Sequence, residues 1–309
     1  MENPLIEAIK AIIYGIVEGL TEWLPVSSTG HIIIVSAIPG FDVSSTYGDV
    51  FWEFFLVVIQ FGAICAVIWK FFKKLNPLSD RNTKEKNKAI WIMWLKILIG
   101  CLPAGIIGIL LEEFLPTAAK SAFYDSVPLV TSMLILYGVL FVIGERFNKY
   151  KAKKYVSSLR EKGKDPNTPY PYKFRNVEDI DYLTALYIGL IQVLSIVPGT
   201  SRSGVTILGA LALGASRTAA AEFSFYLSIP VMVGATLVKG YSFYESGVTI
   251  SNNMVVYLFF GTITAFAISI LVINFLMKFI KKHTFEGFGY YRIAAGIVLA
   301  SLLGAGIIA

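Results

Sequence analysis

The chain has 309 residues, of which 55% are hydrophobic and only 16% are charged, and its formal net charge is +6. Soluble domains carry about 25% charged residues, so this composition excludes an ordinary soluble protein and indicates a polytopic membrane protein. Most of the positive charge lies between apolar segments, so we expect no nucleic-acid partner. Cys65 and Cys101 both lie within apolar segments, so we expect no disulfide framework.

Ten apolar segments follow one another along the chain. Six are long enough to cross a bilayer, which takes about twenty residues, and they begin near positions 51, 89, 127, 218, 254 and 290. The other four form two pairs, 5–24 with 32–38 and 183–197 with 205–213, each interrupted by Pro, Gly, Ser and Thr. A broken pair of this kind predicts a re-entrant hairpin, because non-helical backbone at membrane depth must be buried in protein or line a wet cavity.

The two interruptions resemble each other at a constant offset of 174 residues, without a gap. The sequence GIVEGLTEWLPVSSTG (15–30) aligns with GLIQVLSIVPGTSRSG (189–204), and the aligned pairs include Gly15 with Gly189, Glu18 with Gln192 and Ser27 with Ser201. Three spans follow each interruption, and because three is odd the two halves have opposite orientations. We therefore predict an all-α polytopic membrane protein with an inverted-topology repeat, each half a re-entrant helical hairpin plus three transmembrane helices.

The predicted boundaries divide one integral membrane domain into three parts. The first repeat covers residues 1–150, with its hairpin at about 5–38. A basic cytoplasmic linker covers 151–181, and the second repeat covers 182–309, with its hairpin at about 182–213. Inverted repeats bring their broken helices together near the bilayer midplane, where the binding site forms.

Charge placement gives an independent prediction of the topology. Three stretches, 70–96, 145–181 and 278–292, contain 22 of the 27 basic residues. The positive-inside rule assigns these loops to the cytoplasm. Both termini and the first hairpin then face outside, and the second hairpin enters from the cytoplasm.

The first interruption contains the residues of a metal and catalytic site. Glu18 and Glu22 are four residues apart, which puts both carboxylates on one helix face, and such a pair is suited to a hard divalent cation, Mg²⁺ or Ca²⁺. His31 is able to move a proton near neutral pH. Hydroxyls that could serve as nucleophile or donate to a substrate stand between them, at Ser27, Ser28 and Thr29.

The second interruption contains the residues of an anion site. We interpret Arg202 as the one arginine in an apolar interior, and a guanidinium there needs an anion. Hydroxyls surround it, at Thr200, Ser201, Ser203 and Thr206. With a helix N-terminus they favour a phosphate or carboxylate, although a purely structural Arg–Glu pair would also explain Arg202. Together the two interruptions predict metal-assisted phosphoryl transfer.

The motifs EGLTEWLPVSSTGH (18–31) and PGTSRSGVT (198–206) resemble the two signatures of the undecaprenyl-diphosphatase, or bacitracin-resistance protein, family of integral membrane phosphatases. The similarity extends over the whole chain, including ASRTAAAEFSFYLSIP at 215–230. It implies hydrolysis of undecaprenyl diphosphate to undecaprenyl phosphate and phosphate at the outer side of the bacterial plasma membrane. This reaction recycles the lipid carrier of cell-wall synthesis and confers bacitracin resistance.

The resemblance also implies residue roles. Glu18 and Glu22 are expected as metal or catalytic acids, Arg202 as the diphosphate ligand, Ser28 as nucleophile and His31 as its base. The reverse assignment, in which His31 attacks phosphorus, stays open. The expected substrate-binding residues are Ser27, Thr29, Ser201, Arg202, Ser203 and Thr206. The expected partners are a polyprenyl diphosphate, membrane lipids and a second copy in a homodimer.

Two other functions fit parts of the pattern. Inverted repeats with broken helices are a transporter architecture, so a secondary transporter or flippase of a polyprenyl phosphate is the alternative. A non-catalytic membrane scaffold is a third possibility, but it leaves Arg202 and Glu18 without a purpose.

Overall fold

The computed structural model describes residues 4–79, 82–116, 119, 123–124 and 126–308. Helices dominate these residues, and we number the α-helices in chain order: α1 Pro4–Thr21, α2 Ser28–Ser36, α3 Val43–Tyr47, α4 Asp49–Leu75, α5 Lys84–Phe114, α6 Val127–Glu161, α7 Tyr182–Gln192, α8 Arg202–Ala212, α9 Arg217–Glu245, α10 Asn252–Phe279 and α11 Glu286–Gly304. Within the described residues no β-strand forms beyond one isolated bridge, between Phe174 and Ala215. The prediction of an all-α protein is confirmed.

Six of the described helices are long and apolar enough to cross a membrane: α4, α5, α6, α9, α10 and α11. They correspond to the six predicted spans, so the prediction of a multi-pass membrane protein is confirmed. Several helices extend beyond their apolar segments, because lysines and glutamates continue a helix well. Helix α6 continues to Glu161, so the first part of the predicted linker 151–181 is helical.

Each interrupted pair contains a break between two helices. Helix α1 ends at Thr21 and α2 begins at Ser28, while α7 continues through a 3₁₀ turn, Val193–Ile196, before α8 begins. Ser27 and Ser201 both have positive φ, 73° and 71°, and within the described residues no other non-glycine residue does. Positive φ is unfavourable for a residue with a side chain, so both breaks hold the same strained backbone just before a helix starts.

The helices on either side of the breaks pack closely against long helices. Helix α1 runs along α10, and a Cβ on Gly15 would lie 2.5 Å from the carbonyl oxygen of Gly261. Helix α7 packs on α5, where Gly189 lies directly against Gly100. Glycine is therefore needed at positions 15 and 189 for the backbones to approach each other.

A buried ion pair fixes the helices behind the second break. The Glu145 carboxylate, on α6, is fully buried and accepts hydrogen bonds from Arg217 Nε at 2.8 Å and Nη2 at 2.6 Å. It also accepts from the backbone N–H of Phe285 at 3.0 Å. Because both carboxylate oxygens accept hydrogen bonds and one guanidinium lies against them, this buried charge is compensated. The contact joins α6, the start of α9 and the residue before α11.

The hydrophobic core extends directly up to the breaks. Trp23, in the first break, is fully buried and packs edge-to-face on Phe225 of α9, with ring centroids 5.4 Å apart. Phe71 of α4 packs on Phe225 and on Tyr226. The aromatic contacts hold the first break against α9, and α9 supplies partners to the second break.

Candidate active site

The two breaks meet at the carboxylate of Glu22. Arg202 Nη2 donates to Glu22 Oε1 at 2.9 Å, and both side chains are largely buried, at 11% and 9% exposure. Ser28 Oγ donates to Glu22 Oε2 at 3.1 Å. Ser28 is the first residue of α2 and Arg202 is the first residue of α8. One carboxylate therefore connects equivalent positions of the two breaks.

Arg202 keeps donors available after its protein contacts are made. Its Nη1 donates to the Ser224 carbonyl oxygen at 3.0 Å, and its guanidinium carbon lies 6.0 Å from the centre of the Trp23 ring. A guanidinium has five N–H donors, and the contacts with Ser224 and Glu22 use two of them. The structural Arg–Glu pair considered from the sequence is present, and it leaves N–H groups for a phosphate.

One hydroxyl of the second break joins it to the first break, and the other two make contacts within the second break. Ser203 is buried and donates to the Glu22 carbonyl oxygen at 3.0 Å. Thr206 is also buried and donates to the Arg202 carbonyl oxygen at 2.8 Å. Ser201 is half-buried, lies 3.3 Å from Ser203 Oγ and accepts from the Gly204 N–H at 3.1 Å. These contacts position the loop, and phosphate binding by the three hydroxyls stays a prediction.

The two remaining hydroxyls of the first break differ in exposure. Ser27 is buried, and its carbonyl oxygen lies 2.7 Å from His31 Nδ1. Thr29 is exposed at the start of α2. The structure therefore brings Glu22, Ser28 and Arg202 into direct contact and leaves Thr29 at the periphery of that group.

His31 has a different partner from the expected one. A carbonyl oxygen only accepts hydrogen bonds, so His31 Nδ1 carries the ring proton and donates it in a hydrogen bond to the Ser27 carbonyl oxygen. His31 Nε2 then accepts a hydrogen bond from the Tyr291 hydroxyl at 2.7 Å. The His31 and Tyr291 rings stack with centroids 5.5 Å apart. Among the hydrogen bonds of the described residues, Ser28 donates to Glu22 and His31 has no bond to Ser28. Glu22, and not His31, is therefore the side chain that accepts a hydrogen bond from Ser28.

Glu18 supplies the observation that bears on a cation. Its side chain is fully buried, and neither carboxylate oxygen has a hydrogen-bond partner among the described residues. It lies one helical turn before Glu22, whose N–H donates to the Glu18 carbonyl oxygen at 3.0 Å. A buried carboxylate without a partner is strongly unfavourable, so the residues fit a bound cation.

The donor set suits a particular kind of cation site. Within the described residues no group of three His, Cys, Asp or Glu side chains forms a complete protein ligand set. Mg²⁺ is commonly held by one or two carboxylates together with substrate phosphates. Glu18 and Glu22 supply two carboxylates of this kind, so the site fits a cation whose coordination the substrate completes.

Arg292 is a central residue that the sequence interpretation missed. Two expectations from the sequence are therefore wrong: that Arg292 belongs to the basic loop 278–292, and that Arg202 is the one arginine in an apolar interior. Arg292 lies inside α11, is fully buried and donates to five backbone carbonyl oxygens. These belong to Pro25 at 3.3 Å, Met133 at 3.2 Å, Leu134 at 3.3 Å, Gly199 at 2.9 Å and Thr200 at 3.2 Å.

The contacts of Arg292 join both breaks to α6. Pro25 lies in the first break, Gly199 lies in the second, and the remaining carbonyls include two in α6. The sequence predicts an apolar run from about position 290, whereas α11 begins earlier, at Glu286. Because Arg292 lies two positions inside that run, assigning it to the span rather than to the basic loop would have placed it in the interior.

Comparison with known proteins shows the family of this chain. The family model described as bacitracin resistance protein BacA matches residues 11–298. The chain is 44% identical to undecaprenyl-diphosphatase of Enterococcus faecalis over 94% of this chain and 95% of the relative. It is also 44% identical to the undecaprenyl-diphosphatase of Lactococcus lactis, over 94% and 95%, and 42% identical to that of Streptococcus mutans, over 95% and 95%. The resemblance predicted from the two motifs is confirmed, and the chain belongs to the bacitracin resistance protein BacA family.

Proposed function

We infer that this protein is an undecaprenyl-diphosphatase, a membrane hydrolase that converts undecaprenyl diphosphate into undecaprenyl phosphate and inorganic phosphate. The relatives that have this name align with the chain over nearly the full length of both proteins. The observation that carries the inference is the contact of Ser28 and Arg202 with the Glu22 carboxylate. A hydroxyl, its base and a guanidinium with open donors are suited to phosphoryl transfer. The reaction recycles the lipid carrier of cell-wall synthesis, which accounts for bacitracin resistance.

The attacking group of the proposed reaction is Ser28. As its Oγ bonds to the terminal phosphorus, the bond from phosphorus to the bridging oxygen breaks and undecaprenyl phosphate leaves. The Ser28 proton passes to Glu22, which already accepts a hydrogen bond from it. Water then cleaves the phosphoserine, inorganic phosphate leaves and Ser28 regains a proton. The alternative, attack by His31, is less favoured because its Nε2 accepts from Tyr291 and its Nδ1 donates to Ser27.

Arg202 binds the diphosphate in this proposal. Its free N–H groups donate to phosphate oxygens, and its charge offsets the negative charge that grows on the leaving group. Ser201 lies beside it with a half-buried hydroxyl, which makes Ser201 the better placed of the second-break serines for a substrate contact. Ser27, Thr29, Ser203 and Thr206 complete the proposed binding region.

Glu18 and Glu22 would hold a divalent cation, Mg²⁺ or Ca²⁺, next to the diphosphate. Neutralisation of charge on the phosphate oxygens is the chemistry that such a cation supplies when bound. The support is the unpartnered, fully buried carboxylate of Glu18 one turn from Glu22. Ser28, Glu22 and Arg202 keep their roles in proton transfer and substrate orientation.

We also propose that the two halves form an inverted repeat with re-entrant hairpins. The aligned residues Ser27 and Ser201 share a positive φ, and the aligned Gly15 and Gly189 each lie against a glycine of a long helix. The helix pairs have matching partners as well: α1 packs on α10 of the second half, and α7 packs on α5 of the first half.

The proposed orientation places the basic loops in the cytoplasm and both termini outside, with the active site opening to the outer side. Its support is the positive-inside rule applied to the basic stretches 70–96 and 145–181. A homodimer stays a prediction, and the molecular mass of the purified protein in detergent would test it.

The test of the function is phosphate release by purified protein in detergent, with undecaprenyl diphosphate and Mg²⁺ or Ca²⁺. Glu22→Gln and Arg202→Ala should each lower the rate by about 10²–10³-fold, because each removes a charge contact to the reacting phosphate. Glu53→Gln is the matched control, since Glu53 pairs with Lys239 at 2.7 Å in an exposed position, away from Glu22 and Arg202.

A folded wild type that releases no phosphate with either cation would contradict the enzyme. The same preparation should then be tested for transport of a polyprenyl phosphate between vesicle leaflets, the function of the alternative. Phosphate release needs neither a gradient nor a second compartment, so the assay in detergent separates the two functions.

A further inference from the structure

A concave surface of about 830 Å³ lies where helices α4 and α10 end, and none of the candidate catalytic residues lines it. The charged residues of its lining are Lys70, Lys73, Lys74, Glu222, Lys278 and Lys281. We call it the lysine cavity. We propose that the lysine cavity binds the headgroup of an anionic phospholipid, a site separate from the diphosphatase site and independent of that activity.

The charges in the lysine cavity are unbalanced. Lys74 Nζ pairs with the Glu222 carboxylate at 2.8 Å, so the charges of these two residues offset each other. No carboxylate of the described residues lies within ion-pair distance of the other four lysines, all of which are exposed. Four positive charges around one concave surface raise the local concentration of anions. The occupant that fits the charge is therefore an anion, and a phosphate group suits lysine ammonium donors.

The uncharged part of the lining indicates that the occupant also has an apolar portion. Trp69 and Phe72 are 72% and 55% exposed on α4, and Met277 of α10 lies on the same lining. Helix α4 is one of the six candidate spans, so its exposed aromatic side chains face lipid. A free phosphate gains nothing from such a wall, whereas the acyl chains of a phospholipid pack against it. The combination of lysines and exposed aromatics favours a lipid headgroup.

The lysine cavity is built by the fold, because its charges come from separate elements. The backbone of α4 leaves helical geometry at Phe71, with φ −104° and ψ 15°, and Lys73 and Lys74 follow this kink. Phe71 itself is buried against Tyr226, with ring centroids 5.3 Å apart, so the kink is held in place. Lys278 lies in the last turn of α10. Charges from two helices far apart in sequence thus face one concave surface.

The location agrees with a phospholipid of the cytoplasmic leaflet. Both contributing helix ends belong to the basic stretches 70–96 and 278–292, which the positive-inside rule assigns to the cytoplasm. Anionic lipids are abundant in that leaflet, and basic cavities between helices on that side are a known form of headgroup site.

The experiment measures binding of phosphatidylglycerol to delipidated full-length protein in detergent by native mass spectrometry. The pocket variant is Lys70→Gln/Lys278→Gln/Lys281→Gln, which neutralises three exposed lysines and leaves the Lys74–Glu222 pair intact. The matched control is Lys153→Gln/Lys162→Gln/Lys164→Gln, which makes the same change in charge at exposed positions of another basic stretch. We expect the pocket variant to bind phosphatidylglycerol roughly 10- to 100-fold more weakly, and the control to match the wild type.

Each other outcome overturns the proposal in a defined way. An equal loss in both triple variants would mean a diffuse effect of net charge, and no loss in either would mean that the lysine cavity binds no lipid phosphate. Equal binding of phosphatidylcholine would leave only an apolar groove. Displacement of phosphatidylglycerol by millimolar inorganic phosphate would identify a soluble anion site, and preferential binding of undecaprenyl phosphate would make the site one for the reaction product.

Discussion

The two helix breaks share a backbone and differ in chemistry. Each has a serine with positive φ immediately before a new helix, at Ser27 and at Ser201. The next residue is Ser28 in the first break and Arg202 in the second, and both side chains donate to the Glu22 carboxylate. Two positions that align between the breaks thus meet at one carboxylate, and the difference between them separates the proposed nucleophile from the proposed phosphate ligand.

A second difference concerns the turn before each break. The aligned residues Glu18 and Gln192 are both fully buried. Neither side chain has a hydrogen-bond partner among the described residues. The first is an ionisable carboxyl group that is able to bind a cation, whereas the second is a neutral amide. Burial of a polar side chain is therefore common to both breaks, whereas an ionisable group at this position is particular to the first break.

The comparison predicts the largest effect for Ser28 in the first break and a much smaller one for Ser201 in the second. Ser28→Ala removes the proposed nucleophile and should lower the rate of phosphate release by at least about 10⁴-fold. Ser201→Ala, which removes one hydroxyl from the opposite break, should change the rate by less than about tenfold. A coupled phosphate-release assay measures both rates, and thermal unfolding shows whether each variant is folded.

Trapping of the reaction intermediate sharpens this test. A phosphoserine at Ser28 survives acid, whereas a phosphohistidine at His31 does not. An acid-stable phosphate on a peptide containing Ser28 would agree with the proposal. Full activity of Ser28→Ala together with an acid-labile phosphate would instead assign the attack to His31.

The two buried arginines should separate into different kinds of effect. Arg202→Lys keeps the charge but loses the planar guanidinium that we propose as the phosphate ligand, so we expect a fall of about 10²–10³-fold in kcat/KM with little change in thermal stability. Arg292→Lys leaves several buried carbonyl oxygens without donors, each costing about 1–3 kcal/mol. It should therefore lower the unfolding temperature clearly and reduce activity through the geometry of the breaks. Equal thermal stability of Arg292→Lys and the wild type would contradict the role of Arg292 as a connector.

Much of this arrangement could be predicted from the sequence. Interruptions in the apolar segments mark the two breaks with their acids, hydroxyls and Arg202, and the repeat at an offset of 174 residues relates one break to the other. The contact between Ser28 and Glu22 depends on how the chain turns at Pro25, which composition does not specify. The role of Arg292 rests on backbone carbonyl groups, and these leave no signal in the sequence because every residue has one. His31 likewise pairs with Tyr291, 260 positions later, a separation at which no local pattern applies.

Glu18 and Gln192 offer a test of the difference in charge. Without a divalent cation, Glu18→Gln should be at least as stable as the wild type, because it removes an uncompensated buried carboxylate. With Mg²⁺ or Ca²⁺ the wild type should gain thermal stability, and Glu18→Gln should need roughly 10- to 100-fold more cation for the same gain. Gln192→Leu should leave the cation dependence unchanged. An identical cation response of Glu18→Gln and the wild type would exclude Glu18 as a ligand.

The smallest effect concerns the glycines that let the hairpins pack. A Cβ at Gly15 would meet the Gly261 carbonyl oxygen and one at Gly189 would meet Gly100, so Gly15→Ala and Gly189→Ala should each lower stability by about 1–3 kcal/mol. Gly105→Ala is the control, because no heavy atom lies within 4 Å of a Cβ placed there. This change should be neutral or slightly stabilising, since alanine favours a helix.

If the halves are an inverted repeat, Gly15→Ala and Gly189→Ala should lose similar amounts of stability in thermal unfolding. A loss confined to one of them would mean that the resemblance of the two breaks does not extend to the packing of the helices that carry them.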